Sequence, residues 1–325
     1  AGDPWTGPAA DRGTGPAAHE RAPVHRPPAR ARRSRSAETT AAAASVADPE
    51  ATVDPATVLP PPPSPRTAFR QRYGVVYNTQ GPRIRLALLW AVAVIAVLAL
   101  RPLRPYGLAV LYGVAAGAAA LQVVDAWHEV RTGADRWVAA LGASALPVLA
   151  TASARMVGIG LLVTVVAAVV AASRSTDHDI PLFAAAGHTV LAGGVCGGAA
   201  ASLVLLADYE IAAVLILITY VMVYDACDYV VGSGAGNGVE GPLAGGLFIG
   251  AVSALLAVTE VPPFRGVDIW SFAMLAALAC PAGQLLASAM LPRADAHAPA
   301  LRRIDSLLLV APAWAGLIGL YLQQN

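Results

Sequence analysis

Two acidic residues near the end of an apolar segment are the first side chains whose type and spacing suggest chemistry. Asp225 and Asp228 stand three residues apart, so on a continuing helix they share one face. Acidic groups at the mouth of an apolar helix are costly unless they face water, a metal or a partner. Two carboxylates on one face suit a hard cation such as Mg²⁺, which often shares its oxygen ligands with substrate phosphates. A solvated helix end is the alternative interpretation of the same pair.

A glycine-rich stretch follows the two aspartates and runs from Gly232 to Gly241. Glycines allow backbone N–H groups to come close to a bound phosphate. A stretch of this kind is also common as a simple flexible connection between membrane spans. The glycines therefore support a phosphate site only together with other residues.

A second polar segment lies between residues 291 and 306 and contains three arginines and two aspartates. Arginines bind phosphates through several N–H groups, and an aspartate here could complete a metal site. The alternative is ordinary positive flanking of the last membrane span. For Arg302 we favour that alternative.

The elements that must position these groups are apolar segments. The chain is 56% hydrophobic and 13% charged, whereas soluble domains carry about 25% charged residues, so the composition indicates a protein surrounded by lipid. We predict an all-α fold, a polytopic transmembrane helix bundle of about nine spans that follows a disordered N-terminal tail. The predicted spans are 84–100, 106–124, 137–152, 156–172, 180–206, 211–224, 241–259, 269–291 and 306–322.

Arginine placement predicts the domain organisation and the orientation. Residues 1–80 form a Pro/Ala/Arg-rich tail that we expect to be disordered and cytoplasmic, and residues 81–325 form the transmembrane domain. The basic run in this tail favours attraction to anionic lipid over binding of nucleic acid. Arginine-rich loops then fall on the cytoplasmic side, including both polar segments, with Arg101 and Arg104 as the exception. We expect an integral protein of the bacterial inner membrane with a cytoplasmic N-terminus.

The two polar segments together resemble the phosphatidate cytidylyltransferase (CDP-diacylglycerol synthase) family, over residues 211–325. Asp225 and Tyr229 keep the first and last positions of the family's Asp-x-Gly-Ala-Tyr segment. Residues 239–246, which include Glu240, are similar to its Glu-Gly-x-x-Gly-Gly helix start. Ser288 and Arg293 follow the position of its Gly-Asp-Leu motif.

The closing signature of the family carries the most specific part of the resemblance. His297, Arg303, Asp305 and Ser306 keep its spacing of His-Gly-Gly followed by Asp-Arg-hydrophobic-Asp-Ser. Four motif features differ. The family's Ser-Pro-x-Lys-Thr loop is absent between residues 232 and 239, and its Lys-Arg pair is reduced to Pro292-Arg293. Gln284 replaces the acidic residue of Gly-Asp-Leu, and Arg302 replaces the Asp before the signature arginine.

The resemblance implies an enzyme of phospholipid biosynthesis that transfers CMP from CTP to phosphatidate and releases pyrophosphate. It implies Mg²⁺ as cofactor, CTP and the membrane lipid phosphatidate as partners, no nucleic acid, and a homodimer as an assembly to test. The implied catalytic residues are Asp225, Arg303 and Asp305, the implied metal ligands are Asp225, Asp228 and Asp305, and the implied substrate-binding residues are Tyr229, Glu240, Ser288, Arg293 and His297.

Three other functions stay open. A family member that has lost catalysis, and serves as a lipid-binding or scaffolding protein, would account for Gln284 and for the missing loop. A small transporter has less support, because transporter sites lie near mid-membrane and these acidic residues cluster at loop edges. A kinase that uses CTP to phosphorylate a polyprenol would need a similar donor site.

Overall fold

A computed structural model describes residues 83–100, 104–175, 179–232 and 238–324 of the chain. These residues belong to one compact unit, and their regular structure is entirely helical. The predicted all-α fold is therefore confirmed over this part of the chain. The predicted tail, residues 1–80, lies outside the described residues, and its disorder stays a prediction.

The helices follow one another through short connections. In chain order they are α1 (Arg83–Ala99), α2 (Arg104–Trp127), α3 (Arg136–Ala150), α4 (Ala154–Ser173), α5 (Leu182–Tyr209), α6 (Ile211–Gly232), α7 (Glu240–Thr259), α8 (Asp268–Met290), α9 (Leu301–Ile304) and α10 (Leu307–Gln324). A 3₁₀ turn, His128–Val130, continues from the end of α2.

Seven described helical segments are long and apolar enough to cross a membrane. They are α2, α4, α5, α6, α7, α8 and the segment Leu301–Gln324, which contains α9, the turn after it and α10. The apolar helices α1 and α3 are shorter, so the count of nine spans stays a prediction. α4 presents large apolar side chains such as Leu162 and Val163 outward, which is typical of a helix that faces lipid.

The first group of helices packs through small side chains. α2, α3 and α4 surround α5, where the buried Gly193 and Gly197 of α5 lie against Ala139 and Ala143 of α3. Small residues allow helix backbones to approach closely in a membrane, where apolar side chains gain nothing by leaving the lipid. The close packing of these glycine- and alanine-rich helices follows from this property.

The second group packs around aromatic rings. α6, α7, α8 and α10 pack against one another, and α10 also contacts α5. The Trp314 ring of α10 is fully buried between Tyr220 of α6 and Phe272 of α8, with ring centroids 5.7 Å and 5.0 Å away. The Tyr220 and Ser253 hydroxyl groups form a 2.6 Å hydrogen bond that ties α6 to α7.

Two long-range hydrogen bonds identify which helix ends lie together. Trp127 Nε1, at the end of α2, donates to the carbonyl oxygen of Met290 at the end of α8, at 2.6 Å. The Ala300 N–H donates to Gln122 Oε1 at 2.8 Å. We call this end of the bundle the polar end, formed by the described residues 128–135, 174–175, 179–181, 238–239 and 291–306.

Arginines are concentrated at the polar end, and the cytoplasmic orientation of this end stays a prediction. Helix alternation places Arg104, Arg155 and Arg265 at the opposite end. Arg155 is therefore an exception to the arginine rule in addition to Arg101 and Arg104. The described arginines of the connections and helix starts at the polar end are Arg131, Arg136, Arg174, Arg293, Arg302 and Arg303.

Candidate functional site

The acidic residues of the two polar segments lie together at the polar end. α6 continues without a break to Gly232, so Asp225 and Asp228 lie on this helix rather than in a loop after it. Asp305 lies between α9 and α10, where the chain turns into the last long helix. We call Asp225, Asp228 and Asp305 the carboxylate cluster.

Ser306 connects two of the three carboxylates. Its Oγ donates to Asp225 Oδ1 at 2.5 Å, and its backbone N–H donates to Asp305 Oδ1 at 2.8 Å. Asp225 is half-buried, and it also interacts electrostatically with Asp228, Asp305 and Arg303. Two segments that are far apart in the sequence thus form one polar site.

Gln284 forms a hydrogen bond with the third carboxylate of the cluster, that of Asp228. Its Nε2 donates to Asp228 Oδ2 at 3.2 Å, and its Oε1 accepts from Tyr224 Oη at 3.4 Å. Asp228 and Gln284 are only 3% and 5% exposed. Because a buried carboxylate needs hydrogen-bond partners, the neutral amide stabilises Asp228 where a second carboxylate would repel it.

Arg302 is part of the site, and the sequence interpretation of Arg302 as a flanking residue is wrong. Its side chain is only 14% exposed, and Nη1 lies 3.7 Å from Asp305 Oδ2. Nη1 donates to Ser288 Oγ at 3.0 Å, and Nη2 donates to the carbonyl oxygen of Ala294 at 2.7 Å. The short helix α9 puts Arg302 three residues before Asp305, and this spacing brings the two side chains to the same face.

A close backbone approach at Gly283 positions Gln284. A Cβ atom at Gly283 would lie closer than 3 Å to the carbonyl oxygen of Asp305. Only glycine therefore fits this point, where α8 packs against the turn between α9 and α10. Gln284 and Ser288, which come next on α8, are four residues apart. Both therefore lie on the same face of this helix.

Four other predicted residues lie around the cluster. Tyr229 is half-buried next to Asp228, and Glu240 is exposed at the start of α7. Arg293 forms an ion pair with Asp295 at 3.5 Å, with both side chains more than two-thirds exposed, and His297 is exposed. The structure does not bring Arg293 and His297 into the hydrogen-bonded site, and the substrate-binding roles of all four stay predictions.

Sequence reasoning omits three groups that the structure places in the site. Ser306 belongs to the same closing motif as Asp305, so its position already indicated a role. Gln284 and Arg302 stand where the family pattern has acidic residues, so the resemblance marks both as departures, and for Arg302 the sequence favours positive flanking of the last span. The four-residue spacing of Gln284 and Ser288 was the available signal that this face of α8 is polar.

The donor atoms of the site fit Mg²⁺ in kind. They are carboxylate, hydroxyl and amide oxygens, which hard cations prefer. Within the described residues, no group of three or more His, Cys, Asp or Glu side chains is placed to hold a metal ion. Mg²⁺ is commonly held by one or two carboxylates together with water and substrate phosphates, and the cluster can supply that number.

Comparison of this chain with family models and curated proteins gives no match. The resemblance to the phosphatidate cytidylyltransferase family therefore stays a prediction that rests on the motif residues.

Proposed function

We propose that this chain transfers CMP from CTP to phosphatidate and produces CDP-diacylglycerol and pyrophosphate. The observation that carries the proposal is the hydrogen bond between Ser306 and Asp225, residues that are 81 positions apart. It unites the two motif segments at one end of a bundle of membrane-spanning length. A site at that position suits a reaction between a water-soluble nucleotide and a lipid.

In the proposed reaction one P–O bond forms and one P–O bond breaks. A phosphate oxygen of phosphatidate bonds to the α-phosphorus of CTP, and the bond from that phosphorus to the oxygen of the leaving pyrophosphate breaks. Catalysis of such transfers is mostly positioning and electrostatic stabilisation of charge on the transferring group. Arg303, whose charge acts on Asp225, is the residue we assign to the substrate phosphates.

Arg302 and Ser306 act as positioning residues in this proposal. Arg302 holds Asp305 from one side, and Ser306 donates to both Asp225 and Asp305. Asp225 and Asp305 would hold Mg²⁺, whereas Asp228, which the sequence predicts as a further ligand, accepts from Gln284 Nε2. When bound, Mg²⁺ neutralises charge on the nucleotide phosphates.

Burial suggests how substrates reach the site. Asp228 and Asp305 are buried, whereas Asp225 is half-buried and the most accessible of the three. We propose that CTP approaches Asp225 from the cytoplasm, and that the acyl chains of phosphatidate enter sideways between helices. The polar end then faces the cytoplasm of a bacterial cell, in the inner membrane.

The experiment supplies purified full-length protein with vesicles containing phosphatidate, labelled CTP and Mg²⁺, and measures labelled CDP-diacylglycerol. Asp225→Asn is expected to lower the rate ~10²-fold or more, since a single preorganised group at such a site contributes ~10² to 10³. Asp295→Asn is the matched control, an exposed carboxylate at the same end of the bundle. Absence of product from the wild-type protein refutes the proposal.

One observation favours a second candidate, a lipid-binding or scaffolding protein without catalysis. The cluster is stabilised from within, since Gln284 donates to Asp228, Ser306 to Asp225, and Arg302 pairs with Asp305. Such a site keeps its structure without a ligand. This candidate predicts that Asp225→Asn leaves the cellular function intact, and that the wild type forms no CDP-diacylglycerol.

A further inference from the structure

A second polar feature of the polar end is a cavity of about 640 Å³. It lies between the connection from α2 to α3 and the end of α4, and Arg131, Asp135 and Arg174 are among its lining residues. The volume is in the range of small-ligand sites, about 300–1,000 Å³. We call it the arginine cavity, and it shares no residue with the carboxylate cluster.

The charges that line the arginine cavity favour an anion. Asp135 Oδ1 accepts the backbone N–H groups of Trp137 and Val138, each at 2.9 Å, so the N-terminus of α3 offsets this carboxylate. Arg131 and Arg174 add two positive charges. Each guanidinium has five N–H donors and can contact a ligand in addition to neighbouring protein groups.

Arg131 adopts an uncommon backbone conformation at the cavity wall. Its φ of 52° and ψ of 59° lie in the left-handed region, where a residue other than glycine is infrequent. The Arg131 N–H donates to the carbonyl oxygen of His128 at 3.3 Å, which closes the turn after α2. Uncommon backbone conformations of this kind cluster at ligand sites. This one fixes the point at which the Arg131 side chain leaves the backbone.

Exposed aromatic rings stand at the starts of α3 and α5, close in sequence to the lining residues Asp135 and Ile180. Trp137, at the start of α3, is 59% exposed, and Phe183, at the start of α5, is 81% exposed. The Arg136 guanidinium lies 5.3 Å from the centre of the Trp137 ring. Of these two residue types, Trp is the one enriched at span ends at the level of the lipid headgroups, and basic pockets at that level bind phosphate headgroups.

We propose that the arginine cavity binds the phosphate of an anionic phospholipid, with Arg131 and Arg174 on the phosphate oxygens. A free phosphate has the same chemistry, but the exposed Trp137, two residues after the lining residue Asp135, favours the lipid source. The proposal is independent of the proposed function, because it uses none of the residues of the carboxylate cluster.

The test measures lipid retention by the full-length protein, purified in detergent and mixed with phosphatidylglycerol or phosphatidylcholine, by native mass spectrometry. The wild type is expected to prefer phosphatidylglycerol. Arg174→Gln should weaken that binding roughly fivefold, and Arg131→Gln with Arg174→Gln roughly 30-fold, from the typical contribution of an arginine near a lipid surface. Arg155→Gln is the matched control, an exposed arginine at the opposite end of the same helix, α4.

Three outcomes overturn the proposal. They are an unchanged lipid preference in the double variant, an equal loss in Arg155→Gln, and full displacement of the lipid by millimolar inorganic phosphate, which would assign the cavity to a soluble phosphate. Arg131 and Arg174 are exposed, and a circular dichroism spectrum of each variant confirms that the helices are intact.

Discussion

Replacing Gln284 by Glu is expected to destabilise the protein and to make its stability depend on Mg²⁺. The substitution keeps the size of the side chain but exchanges the donor Nε2 for a carboxylate oxygen. In the wild type this donor lies 3.2 Å from Asp228 Oδ2, and both side chains are buried. The variant therefore places two carboxylates in contact.

The expected magnitude follows from this distance. Two unit charges 3.2 Å apart repel by about 5 kcal/mol at an effective dielectric constant of about 20. A proton shared between the two carboxylates relieves part of this repulsion. We therefore expect the free energy of unfolding to fall by about 2–4 kcal/mol in a buffer that contains a metal chelator. Because Mg²⁺ neutralises both carboxylates, it should restore most of this loss.

The assay is denaturant unfolding in detergent, with and without Mg²⁺, for Gln284→Glu and for Gln284→Met. The Met variant removes the hydrogen bonds without adding charge, so it should lose about 1–3 kcal/mol regardless of Mg²⁺. If Gln284→Glu is as stable as the wild type in chelator, Asp228 and Gln284 are not in contact and the described site is wrong.

Two further substitutions test the packing of the site, each with a matched control. Gly283→Ala should lower the free energy of unfolding by about 1–3 kcal/mol, because its Cβ would meet the Asp305 carbonyl. Gly316→Ala, with open space around it, should be neutral or stabilising in the same unfolding assay, and an equal loss in both would contradict the close approach. Arg302→Gln should cost about 3–5 kcal/mol by leaving Asp305 without its buried partner, whereas the exposed Arg293→Gln should cost less than about 0.5 kcal/mol. Matching losses in the two arginine variants would show that Arg302 is a surface residue.

The helices were the predictable part of this molecule, because apolar length alone marks a membrane segment. The end of α6 shows the limit of that signal. Hydropathy ends the segment at Tyr224, but the helix continues to Gly232, since Asp228 finds a partner on α8 and Asp225 finds one in the turn before α10. Hydropathy measures transfer into lipid and carries no information about such contacts.

The polar site was predictable in its acidic residues and not in their partners. Motif spacing indicated Asp225 and Asp305, and arginine placement put both segments at the same end. The burial of Arg302 depends on the turn at α9, and the bridge from Gln284 to Asp228 depends on the close packing of α8 at Gly283. Both are tertiary contacts between distant segments, which a local pattern does not encode.

The most direct test of the proposed reaction is the Mg²⁺-dependent formation of CDP-diacylglycerol from CTP and phosphatidate by the purified wild type, compared with Asp305→Asn. We predict product that requires Mg²⁺ and that falls ~10²-fold or more in Asp305→Asn, while unfolding measurements show the variant to be folded. Equal product from both proteins, or none from the wild type at any Mg²⁺ concentration, would contradict the assignment of the carboxylate cluster as the site of this chemistry.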